Sequence, residues 1–179
     1  LRITYDNGSL HAMTISAEHE KYTFFINSLI AGIRLRLRMN ILAFGSATMR
    51  KTRLAKGHEP DACFYVQTAA LIGNRIQLDF ETDPPPDIAV EIDVRHDSRS
   101  RFPVYAALGV PEVWRYDSHS MTIYHLSRQG DEQQYVDQDN SAALPMLTAH
   151  LLTEMIEVMR EKGELNALLA FDEWLQSRL

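Results

Sequence analysis

The sequence predicts a mixed α/β fold, and three patterns along the chain support this prediction. Apolar side chains alternate with other residues from Asp87 to Val94, which is the period of a β-strand. Ser16 is a good helix N-cap, and apolar residues recur after it at helical spacing. The segments 151–161 and 165–179 are both amphipathic, as expected of two closing helices. A helix, a run of strands and a final helical pair therefore follow one another along the chain.

Turn and capping residues predict the other elements. Asn7-Gly8 tolerates positive φ and indicates a hairpin near the start of the chain. Pro103 fits a helix only in its first turn, and Gly109 would end that helix. The segment 68–86 is expected to be a loop because it ends in three consecutive prolines. The remaining expected strands are 2–5, 9–14, 41–49, 63–67, 112–116 and 121–126, and the inserted helix is 98–108.

Length and composition indicate an ordinary globular protein. At 179 residues we expect a single domain over 1–179, with a helical pair at about 148–179. The one cysteine, Cys63, excludes an internal disulfide and favours a cytoplasmic location. The sequence contains no apolar run long enough to cross a bilayer and opens with no signal-peptide pattern. Because the chain begins at Leu1 without a methionine, some N-terminal sequence is expected to be missing.

Charge is distributed unevenly along the chain, whose formal net charge is −6. The stretch 21–58 contains no Asp or Glu but holds 8 of the 18 basic residues. Such a region is typical of a surface that binds a polyanion, and a solvated helix face with acidic neighbours is an equal alternative. The candidate nucleic-acid contacts are Arg50, Lys51, Arg53 and Lys56.

Carboxylates gather on one face of the strand that begins at Asp87. Alternation places Asp87, Glu91 and Asp93 on the same side, where their charges repel and resist desolvation. A bound Mg²⁺ or Mn²⁺ would relieve that repulsion. If the strand after Asp61 pairs with this one, Asp61 and Glu91 approach each other, and phosphodiester hydrolysis is the natural chemistry. Asp61 could instead be a turn or capping residue, and Glu91 a residue of a solvated edge strand.

Three motifs resemble the Uma-two family of restriction-endonuclease-like proteins: Glu59–Val66, Pro86–Asp93 and Tyr105–Trp114. The resemblance implies a PD-(D/E)xK nuclease fold, with a mixed central sheet flanked by helices and a divalent metal held by carboxylates. It assigns Asp61 and Glu91 as the two motif acids, and Glu18 as an extra metal-ligating acid.

The chain departs from the motif at the third position. The general pattern has a lysine two residues after the second acid, where this chain has Asp93. In many members of the family that this chain resembles, the cation lies instead on the following helix, four residues before a tyrosine. The matching residue here is Arg101, four residues before Tyr105. Arginine can stabilise a charged transition state but cannot act as a base at neutral pH. Arg101 could instead be a surface arginine that offsets Asp97.

Three hypotheses follow. In the first, the protein is a Mg²⁺- or Mn²⁺-dependent endonuclease acting on DNA, with Asp61 and Glu91 as ligands, Asp93 and Glu18 as auxiliary acids and Arg101 as the transition-state cation. In the second, it is a noncatalytic nucleic-acid-binding or assembly protein on the same scaffold. In the third, it is an oligomeric domain, a homodimer being expected, whose acidic face is covered by Lys or Arg from a neighbour.

The histidines of the sequence predict no zinc site. His19 and His58 could bind metal, but neither has a second histidine at ligand spacing, and the chain has no cysteine pair. His96, just past the carboxylate strand, could contact phosphate, although a plain loop histidine is the commoner case.

Overall fold

A computed structural model describes residues 2–94, 97–130 and 132–178, so His96 lies outside the described residues. Within these ranges the strands are β1 Arg2–Asp6, β2 Ser9–Met13, β3 Leu42–Ala43, β4 Met49–Lys51, β5 Lys56–His58, β6 Ala62–Tyr65, β7 Ile88–Ile92, β8 Glu112–Tyr116, β9 Met121–Gln129 and β10 Glu132–Gln138. The α-helices are α1 Ala17–Arg36, α2 Ala69–Ile72, α3 Phe102–Leu108, α4 Ala149–Lys162 and α5 Glu164–Gln176. Two 3₁₀ turns cover Thr52–Leu54 and Ser98–Arg101.

The larger sheet has six strands in the order β10-β9-β8-β7-β6-β3. β7 and β8 run parallel, while the other neighbouring pairs are antiparallel. The parallel pair needs a crossover, which the 3₁₀ turn and α3 provide. The predicted mixed α/β class is therefore confirmed.

Helix α1 packs against one face of this sheet. Its N-cap is Ser16, whose hydroxyl accepts a hydrogen bond from the backbone N–H of His19 at 3.2 Å. Its buried side chains recur every three to four residues and therefore form one stripe. These are His19, Tyr22, Thr23, Phe25, Ile26, Leu29, Ile30 and Ile33. The main core lies between that stripe, the sheet and the inner faces of α4 and α5.

Strand β7 separates the main core from the candidate site. Ile88, Val90 and Ile92 point into the main core. Ala89 points the other way, into a smaller core beside α3, and Glu91 shares that side because side chains alternate. The predicted alternation of β7 thus places the Glu91 carboxylate on one face of the strand and the apolar side chains of the main core on the other face.

A second sheet, in the order β2-β1-β5-β4, lies next to α3. Its β1–β2 hairpin turns at Asn7 and Gly8, whose φ values are 45° and 93°. β5 pairs with β1 so that His58 lies opposite Thr4. This sheet therefore brings His58 towards the face of β7 that carries Glu91.

Three expectations were wrong in their boundaries. The strand expected over 41–49 is split into β3 and β4, which belong to different sheets, and Gly45 between them has a φ of 55°. The expected loop 68–86 contains the short helix α2. The hairpin after β8 continues into β10, which the sequence did not predict because β10 is almost wholly polar and exposed.

The closing helices confirm the helical pair predicted near the end of the chain. Their inner faces complete the main core, while Leu165 and Leu169 of α5 remain exposed. Among the described helices, none combines the length and apolar character that a membrane span requires.

Asp87 should be a strong structural determinant of this fold. Its Oδ2 accepts hydrogen bonds from the backbone N–H groups of Val66 and Thr68 at 2.7 and 3.0 Å, and from the Thr68 hydroxyl at 3.0 Å. Asp87→Ala would leave these partly buried donors unsatisfied, so we expect a loss of about 1–3 kcal/mol in the free energy of urea unfolding. Asp172→Ala, which removes the surface partner of Arg36, should cost much less, because surface ion pairs contribute little to stability. Equal costs for the two variants would contradict this assignment.

Candidate active site

Asp61 and Glu91 are neighbours across the sheet. Asp61 immediately precedes β6, and the antiparallel register pairs Ala62 with Val90, which places Asp61 beside Glu91. The backbone N–H of Asp61 donates to the carbonyl of Val90 at 3.0 Å, and Asp61 Oδ2 accepts from the N–H of Ile92 at 2.7 Å. Both carboxylates are almost fully buried. The pairing on which the sequence prediction depended is therefore present.

Protein donors hold both oxygens of Glu91. Its Oε1 accepts hydrogen bonds from His58 Nε2 at 2.6 Å and from the hydroxyl of Tyr105. Its Oε2 accepts from Arg101 Nη1 at 2.8 Å. His58 is fixed in turn, because its Nδ1 lies 2.7 Å from the Thr4 hydroxyl and its ring packs edge-on against Tyr105. The carboxylate thus has one defined orientation.

The environment of Glu91 favours its charged form. Burial raises the pKa of Glu91, but the charge and hydrogen bond of His58, the charge of Arg101 and the hydrogen bond from Tyr105 outweigh it and leave the pKa lowered. The pKa of Tyr105 is raised well above its usual value, by burial first and by the nearby Glu91 charge second. Tyr105 therefore remains a hydrogen-bond donor at neutral pH.

Asp61 is flanked by two cationic or potentially cationic side chains. Arg2 Nε donates to Asp61 Oδ1 at 3.2 Å. His19 Nε2 lies 2.9 Å from Asp61 Oδ2, but the two groups lack the alignment of a hydrogen bond. The approach of His19 to Asp61 is therefore a close contact and not a hydrogen bond.

Asp93, a predicted auxiliary acid, is held by other residues. Its Oδ2 accepts from the backbone N–H and hydroxyl of Ser98 at 2.9 and 3.0 Å, and from Arg115 Nε at 2.6 Å. Burial raises the pKa of Asp93, with opposing contributions from Ser98 and Arg115. In this structure Asp93 fixes the turn that carries Arg101, and it is not brought together with Asp61.

Glu18, expected from the resemblance as an extra acid, does not join the pair. It is exposed and lines a shallow surface depression with Lys21 and Arg160. The buried stripe of α1 includes position 19 and not position 18, so His19 is the residue directed at Asp61. Because adjacent helical residues differ by about 100° in direction, an error of one position moves the side chain off the site.

Three of the four predicted basic contacts line a groove of about 420 Å³ on the second sheet, the basic groove: Arg50, Lys51 and Lys56. Arg50 and Arg53 are exposed. Lys51 Nζ donates to the carbonyl of Leu108 at 3.0 Å, and Lys56 forms an ion pair with Asp6. Two of the four residues therefore present unpaired charge to solvent within the described part of the chain, and two are held by the protein.

A separate cleft of about 560 Å³ leads to Arg101. It lies between the β1–β2 hairpin and the turn before α3. Arg101 reaches from this cleft to Glu91, and its side chain is 15% exposed. The cleft is lined by Thr4, Asp6, His11, Ala12, Thr14, Asp97, Ser100, Arg101 and Val104.

The donor chemistry fits a hard divalent cation. Mg²⁺ is commonly held by one or two carboxylates and several waters, which an adjacent Asp–Glu pair can satisfy. Across residues 2–94, 97–130 and 132–178, no three His, Cys, Asp or Glu side chains group as ligands of one ion. Arg101 and Arg2 contact the carboxylate oxygens that an ion would use, so a bound ion would share those oxygens or displace the guanidinium groups.

Sequence reasoning did not assign His58 or Tyr105 to the support of Glu91, or Arg2 and His19 to Asp61. Each of these contacts joins residues that are far apart in the chain, as with His58 and Glu91 at a separation of 33. The available signal was the alternation of β7, which predicts only the side on which Glu91 lies, whereas β5 was not predicted as a strand.

Glu91→Gln should cost about 3–5 kcal/mol of unfolding free energy at pH 7, because it leaves His58 and Arg101 without their charged partner. The pKa of Glu91 lies below its ordinary 4.5, so its charge adds stability above pH 4.5 that disappears as the pH falls through the lowered value. The cost, measured in urea titrations, should therefore shrink as the pH falls below 4.5. A cost that stays constant over this range would contradict the assigned ionisation.

Comparison with known proteins supports the fold and gives the family. The structure superimposes on the crystal structure of "a putative nuclease belonging to DUF820 from Anabaena variabilis ATCC 29413" with a TM-score of 0.59 and 14% identity. The superposition covers 85% of this chain and 89% of that one. It shows a shared restriction-endonuclease-like fold.

Sequence comparison reaches the same conclusion. A search of curated proteins gives no match. The Uma2 family model, described as "Putative restriction endonuclease", matches residues 1–160. That range includes both carboxylates, Arg101 and the supporting residues of the site. The chain therefore belongs to the Uma2 family, as its three motifs predicted.

Proposed function

We propose that this protein is a divalent-metal-dependent endonuclease that hydrolyses phosphodiester bonds in DNA. The observation that carries the proposal is the buried pair of Asp61 and Glu91 on neighbouring strands, with Arg101 on the outer oxygen of Glu91. The family, whose description is a restriction endonuclease, supports nuclease-like chemistry.

The substrate backbone would enter through the cleft that leads to Arg101. Thr14, Ser100 and His11 line it and can donate hydrogen bonds to phosphate oxygens. Asp6 and Asp97 also line the cleft and would repel phosphate at its rim. Lys56 pairs with Asp6 and Arg99 pairs with Asp97, which weakens this repulsion, so a phosphate in the cleft would bind at Arg101.

Asp61 and Glu91 would hold Mg²⁺ or Mn²⁺. When bound, such an ion polarises a phosphoryl oxygen and lowers the pKa of a coordinated water. The protein's own contribution is to fix the ligands: His58 and Tyr105 hold Oε1 of Glu91, while the N–H of Ile92 holds Oδ2 of Asp61. Orientation of this kind limits the reorganisation that the reaction would otherwise require.

Arg101 would act on charge and not as a base. Its guanidinium remains protonated and can form two parallel hydrogen bonds with a phosphate. In the described structure it neutralises Glu91, so it would transfer part of this interaction to the substrate. The proton of the attacking water would therefore pass to solvent or to another group, and not to Arg101.

Labelled duplex, single-stranded and branched DNA incubated with Mn²⁺ tests the proposal. We expect cleavage that EDTA abolishes and that Arg101→Ala, Asp61→Asn and Glu91→Gln each lower by at least about 100-fold. Arg101→Lys should retain more activity than Arg101→Ala, since it keeps the charge.

The matched control is Glu112→Gln. Glu112 is another buried carboxylate, but it accepts hydrogen bonds from the Trp114 indole and the backbone N–H of Ala142 and Ala143. Glu112→Gln should keep the cleavage rate per folded molecule, with the folded fraction measured by circular dichroism. Parent protein that is folded, binds Mn²⁺ and cleaves none of the substrates would contradict the proposal.

A noncatalytic nucleic-acid-binding or assembly role is the second candidate. It is favoured by the protein cations that already neutralise the acids: Arg101 on Glu91, Arg2 on Asp61 and Arg115 on Asp93. Salt-sensitive DNA binding by a folded protein that never cleaves, with or without Mn²⁺, would select this role.

Arg50 and Arg53 are expected to contact the DNA backbone, because both are exposed, Arg50 lines the basic groove, and Arg53 follows the groove residue Thr52 in the chain. The double variant Arg50→Ala/Arg53→Ala should reduce the slope of log K against log salt by about 2 in EDTA-containing binding titrations. Lys51 and Lys56, held by Leu108 and Asp6, should contribute less.

Arg34→Ala/Arg36→Ala removes two exposed arginines from α1 and provides the control. It should leave the salt slope unchanged. Equal slopes for the two double variants would show that the basic groove has no special role.

Two further expectations remain predictions. A homodimer would use exposed apolar surface, for which Leu165 and Leu169 of α5 are available. A cytoplasmic location remains an expectation from cysteine content.

A further inference from the structure

His19 is a buried side chain whose polar atoms have no hydrogen-bond partner. The residue is 4% exposed, and among the described residues neither ring nitrogen has an acceptor or donor in hydrogen-bond geometry. Buried polar groups are normally paired, since leaving one unsatisfied costs about 1–3 kcal/mol. An unpaired imidazole directed at Asp61 therefore needs an explanation.

The spacing between His19 and Asp61 suggests one. His19 Nε2 and Asp61 Oδ2 are 2.9 Å apart without the alignment of a hydrogen bond. Two adjacent ligand atoms of an octahedral ion, each about 2.1 Å from the metal, are about 3 Å apart. The two atoms thus have the separation of neighbouring ligands of one ion.

The other ring nitrogen has the partner that a metal-bound histidine needs. A ligating imidazole donates its second N–H to a carboxylate or carbonyl, which fixes the tautomer. His19 Nδ1 lies 3.7 Å from Glu20 Oε1, a buried oxygen that has no hydrogen-bond partner in the described structure, although Arg2 Nη2 lies 3.8 Å from it. A small movement would join these two unsatisfied atoms and leave Nε2 deprotonated towards Asp61.

A simple ion pair between His19 and Asp61 explains less. Asp61 already receives Arg2 on Oδ1 and the N–H of Ile92 on Oδ2. The Nε2–H of a protonated His19 would be a further donor near Asp61, but it is not aligned for a hydrogen bond. Its Nδ1–H would also lack a hydrogen bond to Glu20. A shared ion accounts for both unsatisfied nitrogens.

We propose that His19 is a metal ligand, binding through Nε2 the same divalent ion that Asp61 binds. This inference rests on the proposed function and replaces Glu18 with its neighbour in the ligand set. Among the described residues His19, Asp61 and Glu91 are not preassembled around one ion, so metal binding requires these side chains to move, and water completes the coordination. An imidazole ligand favours first-row transition ions over Mg²⁺, so the site selects Mn²⁺ more strongly than two carboxylates alone would.

Pulsed electron paramagnetic resonance of Mn²⁺ bound to the intact protein tests this directly, because a coordinated imidazole couples ¹⁴N to the metal. The parent should show the coupling, and His19→Gln should lose it and bind Mn²⁺ about tenfold more weakly. The Mn²⁺-over-Mg²⁺ preference, measured by competition, should fall in parallel.

His125→Gln is the matched control, since His125 is another histidine beside a carboxylate, with Nε2 3.6 Å from Glu112. It should keep the coupling and the affinity. If His19→Gln fails to fold, parent protein with ¹⁵N-labelled histidine shows whether any histidine binds the ion, because the ¹⁴N signal must then change to ¹⁵N, and His19→Asn is the second variant that assigns the nitrogen to His19.

The outcomes separate this inference from the proposed function. Mn²⁺ binding without histidine nitrogen coupling would overturn the role of His19, leaving the carboxylate site and the nuclease proposal in place. Absence of Mn²⁺ binding by folded parent protein would overturn both. Coupling that persists in folded His19→Gln would assign the nitrogen to another histidine and contradict the inference.

Discussion

The buried charge of Glu91 is the constraint on which the site and much of the surrounding fold depend. A carboxylate this far from water is stable only with donors around it, and they come from three separate elements. His58 arrives on β5, Arg101 at the end of the 3₁₀ turn and Tyr105 on α3. Their convergence ties the second sheet and the crossover segment to the central strand.

The same compensation extends to the neighbouring acids. Arg2 and His19 face Asp61, and Arg115 holds Asp93, so both of these acids have a cationic or potentially cationic neighbour from the same chain. This arrangement differs from the hypothesis in which a neighbouring subunit covers the acidic face. It also implies competition: a metal ion must outcompete arginines that already neutralise its ligands, so binding and movement of Arg101 should be coupled.

Sequence reasoning succeeded where a pattern specified the face of a strand on which a side chain lies. It failed where a contact depended on the exact rotational position of a residue around a helix, or on packing between elements far apart in the chain. Alternation along β7 correctly separated Glu91 from Ile88, Val90 and Ile92, and it made the approach of Asp61 a matter of strand pairing. On α1, the periodicity of the buried residues was predicted correctly. The residue that faces Asp61 is His19, however, and not the acid expected at the preceding position, Glu18. β10 carried no hydrophobic alternation because both its faces are largely solvated. The support of Glu91 by His58 could not be predicted, since it arises only after two sheets pack together.

The central claim is that Asp61 and Glu91 hold one divalent ion, and a crystal structure grown with Mn²⁺ tests it most directly. The account predicts an anomalous-difference peak in contact with both carboxylates, with Arg101 shifted away from Oε2 of Glu91. A structure in which Arg101 keeps its place on Glu91 and no peak lies beside Asp61, at saturating Mn²⁺, would contradict it.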